Sequence, residues 1–129
     1  MRTLLLDTHS LLWWVNQPQL LSLEAKREIG KRRNRVFISA ASVYELAFKY
    51  RLGKLNEATT LVETFDIWIE DEGFERLNIT HEHAMAAGRL EPRHRDPFDR
   101  LLIAQALVED VELVSNEKLF DSFGVHRLW

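Results

Sequence analysis

The chain contains no cysteine. That excludes a disulfide framework and any thiolate zinc site, and it agrees with a reducing, cytoplasmic location. With 3 prolines and 5 glycines in 129 residues, it has no stretch that reads as a flexible linker or low-complexity tract. No apolar run approaches the roughly 20 residues needed to span a bilayer. The N-terminus offers only Arg2 before Leu4, Leu5 and Leu6, and then the acid Asp7, which is not the pattern of a secretory signal. Secretion and membrane insertion are not expected. Positive charge is not in excess either: 17 Lys and Arg face 20 Asp and Glu, a formal net charge of −3. This argues against a protein that coats nucleic acid through its global field, and leaves room for local basic surfaces.

What is present is ordinary for a globular chain, 46% hydrophobic and 29% charged. Residues 1–129 are expected to form one domain with a single sizeable core. Thr3 to Asp7 reads as a buried strand, Leu11 to Val15 as a helix closed by Pro18, and Leu23 to Gly30 as a second helix. Val36, Phe37 and Ile38 read as a strand. Ser39 is placed to cap a helix in which Val43, Leu46, Ala47 and Tyr50 recur at helical spacing up to Gly53. Further helices are expected over Leu61 to Glu70, His81 to Gly88 (capped by Thr80) and Pro97 to Val108. Strands are expected near Arg76 to Ile79, at Glu112 to Val114 and at Val125 to Leu128. Pro97 to Val108 is apolar on nearly every face and should be buried. This alternation predicts an α/β fold, with a mostly parallel sheet covered on both faces and ligands bound beyond the C-terminal ends of its strands.

Carboxylates fall where such a sheet would gather them. Asp7 follows the first strand, where it is either an N-cap or a site acid. Glu45 lies in its helix with Lys49 four residues on, so it reads as a surface ion pair or as a site residue near the buried boundary. Asp96, Pro97 and Asp99 have the form of a helix start, with Asp96 as N-cap. Asp99 opens the very apolar run from Leu101 to Leu107, where an unpartnered carboxylate would be costly and a divalent cation would relieve it. Ser115, Asn116 and Glu117 end a predicted strand at the same edge, and Glu117 reads equally as a helix-start acid.

Together these segments resemble the PIN domain, most closely the VapC toxins of toxin–antitoxin pairs. The resemblance is carried by Leu5-Leu6-Asp7-Thr8-His9, Ser42-Val43-Tyr44-Glu45-Leu46-Ala47, Lys49-Tyr50-Arg51-Leu52-Gly53-Lys54-Leu55, Arg95-Asp96-Pro97-Phe98-Asp99-Arg100 and Val114-Ser115-Asn116-Glu117, in that order along nearly the whole chain. It implies a three-layer α/β/α sandwich and an endoribonuclease dependent on Mg²⁺ or Mn²⁺. Asp7, Asp99 and Glu45 would hold the metal, or Glu45 would orient the attacking water. Asp96 would be a companion acid, and Ser115 and Glu117 would complete the site. Glu117 stands where the family often has Asp, and its extra methylene moves the carboxylate. The resemblance further implies an RNA substrate, products with 5′-phosphate and 3′-hydroxyl ends, a cognate VapB-like antitoxin and a homodimer.

Lys49, Arg51, Lys54, Arg95 and Arg100 flank the acids and are the candidate contacts to an RNA backbone. Lys31, Arg32, Arg33 and Arg35 precede a strand and belong at the opposite edge of the sheet. Trp13 and Trp14 could stack on single-stranded RNA but are expected in packing or an interface, and His9 and His94 could approach the acids but are expected at the surface. His81 and His83, two apart on a helix, do not share a face for zinc. Two other classes remain. A phosphotransferase with Asp7 as nucleophile would want a second Asp two residues on, where this chain has His9. A PIN-like module that binds RNA or protein without catalysis would be expected to lack the acids.

Overall fold

The structure is a computed structural model that describes residues 1–54 and 59–129; Leu55 of the motif above lies outside them. Five strands form one parallel sheet: β1 (Thr3–Leu6), β2 (Arg35–Ser39), β3 (Glu75–Leu77), β4 (Glu112–Val114) and β5 (Arg127–Leu128), in the order β3-β2-β1-β4-β5. The helices are α1 (Thr8–Asn16), α2 (Leu23–Gly30), α3 (Ala40–Arg51), α4 (Thr59–Glu63), α5 (Phe65–Glu72), α6 (His81–Arg89) and α7 (Pro97–Glu109). Short 3₁₀ turns cover Pro18–Leu20 and Lys118–Phe123.

Strand alternation divides the apolar side chains between two faces. Leu4 and Leu6 of β1, Val36 and Ile38 of β2 and Val114 of β4 pack with Leu11, Ala25, Ile29, Leu46 and Ile69 from α1, α2, α3 and α5. Leu5 and Leu113 face the other way, onto Leu102, Ile103 and Ala106 of α7 and onto Phe120. The result is the expected α/β/α sandwich. Strand order reverses at β1, with β2 on one side and β4 on the other. That places the crevice of an open α/β sheet beyond the C-terminal ends of β1 and β4.

Several boundaries differ from the expected ones, each for a local reason. The first helix begins at Thr8 rather than Leu11, because Asp7 caps it directly. Leu61 to Glu70 is not one helix: α4 and α5 meet at Thr64, which leaves helical geometry at φ −123°, ψ 25°. Its hydroxyl donates to the Thr60 carbonyl, the local competition that makes Thr a poor helix-interior residue. The third strand runs Glu75–Leu77 rather than Arg76 to Ile79, and the last only Arg127–Leu128. Helix α7 is buried along Leu102 to Ala106, but Leu107 is 40% exposed.

Candidate active site

Asp7 directly follows β1 with extended backbone, and its Oδ1 accepts from the amide of Ser10 at 2.8 Å. The Asp7 amide donates to the carbonyl of Val114, which joins the ends of β1 and β4. Just beyond Val114, the buried Ser115 lends its hydroxyl to the Asp7 carboxylate. Asp7 is thus both the helix cap and a buried acid at the switch point. Burial pushes its carboxyl above the usual range, and the hydrogen bonds from Ser115 and Ser10 offset only part of that.

Glu45 projects from α3 and is buried, with Lys49 Nζ on its Oε2 at 2.6 Å. The i, i+4 pair that its spacing suggested does form, but with the acid in the interior. Helix α3 is held against the start of α1 by a hydrogen bond from the Thr8 hydroxyl to that of Ser42, 3.1 Å long and buried.

Asp96 caps α7, its Oδ1 accepting from the amides of Phe98 (2.9 Å) and Asp99 (3.3 Å). Asp99 lies one turn into α7, partly buried, with His94 Nε2 at 2.8 Å from its Oδ2. Burial raises the Asp99 carboxyl. The His94 hydrogen bond opposes that, and the nearby charges of Asp96 and Asp7 add to it. Glu117 caps the 3₁₀ turn through the amide of Leu119, while its own amide donates to Ser115 Oγ at 3.0 Å.

Asp7, Glu45, Asp96, Asp99 and Glu117 all line one cavity of about 130 Å³, together with Thr8, His9, Lys49, Asn116 and Phe120. The donors are oxygen atoms, the kind that Mg²⁺ or Mn²⁺ prefers over softer ligands. Two of them, Asp7 and Asp99, are desolvated, and the charges of Asp96 and Asp7 add to the cost of ionising Asp99, which a divalent cation would relieve. The set therefore suits a hard cation in chemistry. It is not yet convergent: among the described residues no three His, Asp or Glu side chains are gathered at ligand spacing. Two of the acids are instead bonded to nitrogen donors, Glu45 to Lys49 and Asp99 to His94.

The basic residues divide. Arg51, Lys54 and Arg95 are exposed, and none forms an ion pair among the described residues. Arg100 does not belong with them, because its guanidinium donates to the carbonyls of Ala87, Leu90, Glu91 and His94. Arg35, from the basic run, sits at the far edge of the sheet in a two-point contact with Glu75. Trp13 and Trp14 are half-buried against the core, Trp13 near Trp129 and Trp14 near Phe74.

Of the two readings of His94, approach to the acids holds rather than the surface role. Its side chain is only 18% exposed and is held between Asp99 and the ring of Phe120. Spacing gave one usable signal, a histidine five residues before an acid at a helix start. The fully buried His83 was unforeseen; it bonds Glu109 through Nε2 and completes the capping box of α6 with Thr80. A second, mostly apolar groove of about 720 Å³, lined in part by Val43, Tyr44, Phe48 and Phe65, lies apart from the acids. No helix among the described residues is long and apolar enough to cross a membrane.

Comparison with known proteins agrees with this architecture. Residues 4–125 match the PIN domain family. The chain is 30% identical over 121 residues to ribonuclease VapC22 of Mycobacterium tuberculosis, covering 92% of this chain and 89% of that protein. Among solved structures, the fold is similar to a chain of DNA-bound VapBC from Salmonella typhimurium, with a TM-score of 0.71 at 20% identity over 100% of this chain and 98% of the other. It is also similar to a chain of VapBC2 from Rickettsia felis bound to a promoter DNA fragment, with a TM-score of 0.67 at 19% identity over 93% and 92%. At these identities the structural likeness speaks for the fold, and the sequence relationships for the family. The chain belongs to the PIN domain family and, within it, is of the VapC type.

Proposed function

We propose that this protein is a metal-dependent endoribonuclease, the toxin of a toxin–antitoxin pair, with Mg²⁺ or Mn²⁺ as cofactor. The observation that carries this reading is the gathering of Asp7, Glu45, Asp96, Asp99 and Glu117 around one small cavity at the switch point of the sheet. The relationship to a ribonuclease over nearly the whole chain supports the substrate class.

In this proposal Asp7 and Asp99 hold the cation, and Glu45 either completes the set or orients the attacking water. A divalent cation bound there would lower the pKa of water and neutralise charge developing on the phosphoryl group. Ser115 fixes the Asp7 carboxylate through its hydroxyl. Asp96 serves first as the cap that aims α7, and Glu117 holds the 3₁₀ turn at the cavity wall. Lys49, Arg51, Lys54 and Arg95 would carry the RNA backbone, with Lys49 the nearest to the acids. Hydrolysis by attack of water at phosphorus leaves 5′-phosphate and 3′-hydroxyl ends. A VapB-like antitoxin and a homodimer are the expected partners, supported by the fold shared with chains of VapBC complexes.

The test is incubation of the purified protein with single-stranded RNA in Mg²⁺, Mn²⁺ or EDTA, with end-group analysis of the products. Cleavage is expected with either metal and not in EDTA, and it should be lost in Asp7→Asn and Asp99→Asn. Cleavage that survives EDTA or both substitutions would overturn the mechanism.

A further inference from the structure

The segment between α6 and α7 contains no regular structure, yet it is gathered around one side chain. The guanidinium of Arg100 lies in the first turn of α7. Its Nη1 donates to the carbonyls of Glu91 (2.7 Å) and His94 (2.9 Å). Its Nη2 donates to those of Ala87 (2.8 Å) and Leu90 (2.5 Å). Two of these carbonyls belong to the C-terminal end of α6 and its cap, where helix geometry leaves acceptors unsatisfied. The other two belong to the segment that follows. A planar guanidinium suits this task because it presents fixed, divergent N–H donors; an ammonium, as a compact point charge, does not.

The last carbonyl so held is that of His94, whose ring points back at α7 with Nε2 at 2.8 Å from Asp99 Oδ2. Phe120 meets the ring edge-on, with centroids 5.8 Å apart, and limits its rotation. One oxygen of the Asp99 carboxylate is therefore taken by an N–H from outside the cavity, and Oδ1 is left for whatever the cavity binds. Without that hydrogen bond a carboxylate in the first turn of a helix can turn freely about its side-chain torsions.

The geometry points to a positioning relay in which Arg100 sets the path of residues 87–94 and His94 orients the Asp99 carboxylate toward the cation position. This rests on the reading of Asp99 as a metal ligand. His94 and Arg100 are positioning residues: both act through Asp99 and neither touches substrate. Hydrogen bonds that orient ligating carboxylates are worth roughly 10–100-fold in metal affinity in comparable sites.

The experiment is Mn²⁺ binding to the full chain without RNA, read as free Mn²⁺ by electron paramagnetic resonance. Far-UV circular dichroism and a thermal melt confirm that each variant is folded. His94→Ala is expected to weaken Mn²⁺ binding by about 10–100-fold. His94→Gln, whose amide N–H reaches as Nε2 does, is expected to recover most of that loss. Arg100→Lys keeps the charge but cannot serve four carbonyls, and is expected to resemble His94→Ala; if it fails to fold, the two His94 variants decide alone. Because His94 acts through Asp99, the double variant His94→Ala/Asp99→Asn should bind no more weakly than Asp99→Asn. Wild-type affinity in His94→Ala, beside weak binding in Asp99→Asn, would overturn the relay and leave the metal site standing. Wild-type affinity in Asp99→Asn would overturn the metal assignment and the relay with it.

Discussion

The hydroxyl of Ser39 donates a 2.6 Å hydrogen bond to the side-chain carbonyl of Gln105, and both residues are fully buried. Ser39 ends β2 and caps α3, the helix that carries Glu45. Gln105 sits midway along α7, the helix that carries Asp99. The bond therefore ties together the two helices that bring acids to the cavity from outside β1. Gln105 extends the network through its amide, toward the Asn78 carbonyl at 3.3 Å and His83 Nδ1 at 3.4 Å, and His83 reaches Glu109. No buried side-chain polar atom among the described residues lacks a partner. A network of this kind specifies one packing when complete and becomes a liability when broken.

Gln105→Leu preserves approximate volume and removes every polar contact, leaving the Ser39 hydroxyl without its acceptor. Loss of such a buried partner costs about 1–3 kcal/mol. Urea denaturation followed by circular dichroism should show the midpoint falling accordingly with an unchanged slope. RNA cleavage should fall as well, since α3 and α7 lose their common tie. An unchanged midpoint would mean that apolar packing alone holds the two helices together.

Asp7 opposes stability for the sake of the site. Its folded-state carboxyl is raised by burial, so the native state keeps the proton to higher pH than the unfolded chain. Stability is then greatest below the ordinary carboxylate value of about 3.9, falls as pH rises through the raised value, and stays reduced above it. Asn keeps the oxygen that accepts from Ser10 and ranks with Asp as an N-cap. Asp7→Asn should therefore melt at a higher temperature than wild type at pH 7 in metal-free buffer. The difference should shrink as the pH is taken below 4, while cleavage is lost at every pH. Asp99→Asn should behave in the same direction, because burial raises its carboxyl too. A variant that melts lower at pH 7 would show that the hydrogen bonds from Ser115 and Ser10 outweigh burial.

Asp96 separates cap from ligand by a choice of substitution. Its Oδ1 holds two amides of α7, so Asp96→Ala should cost about 0.5–2 kcal/mol and Asp96→Asn only a few tenths. If capping is its main duty, the Asn variant keeps both stability and RNA cleavage. Cleavage in Asp96→Asn that drops as far as in Asp7→Asn would instead place Asp96 among the metal ligands.

Local chemistry is what the sequence makes legible. The caps Asp7, Ser39, Thr80 and Asp96 were all readable, because an N-cap needs only a short polar side chain before an apolar period, and each does accept from an amide near its own position. The gathering of acids followed from the alternation of strands and helices, which fixes the strand ends at one edge. Of the partners of those acids, Lys49 beside Glu45 followed from helical spacing and the others did not. Ser39 and Gln105 are 66 residues apart, and no periodicity links them. His94 and Arg100 are closer, but their roles depend on the path of an irregular segment, where a basic side chain reads as a surface charge. The break at Thr64 was hidden for the opposite reason: the apolar pattern continues across it, and only the Thr hydroxyl returning to Thr60 marks it.

Salt dependence distinguishes a cation that meets RNA from one that holds the fold. Arg51 and Arg95 are exposed and free of ion pairs among the described residues, whereas the donors of Arg100 face four carbonyls. Binding of a short single-stranded RNA can be followed by fluorescence anisotropy in the Asp7→Asn background, where the RNA stays intact. Each phosphate contact contributes about −0.7 to the slope of log affinity against log salt for single strands. Arg51→Ala and Arg95→Ala should each make the slope shallower by about that amount, with stability unchanged within the roughly ±0.5 kcal/mol of a surface substitution. Arg100→Gln, which removes the charge, should leave the slope alone and lower the melting temperature, because what it loses is the organisation of residues 87–94. A slope that flattens for Arg100→Gln, with stability unchanged, would return Arg100 to the RNA surface and remove the anchor from beneath His94.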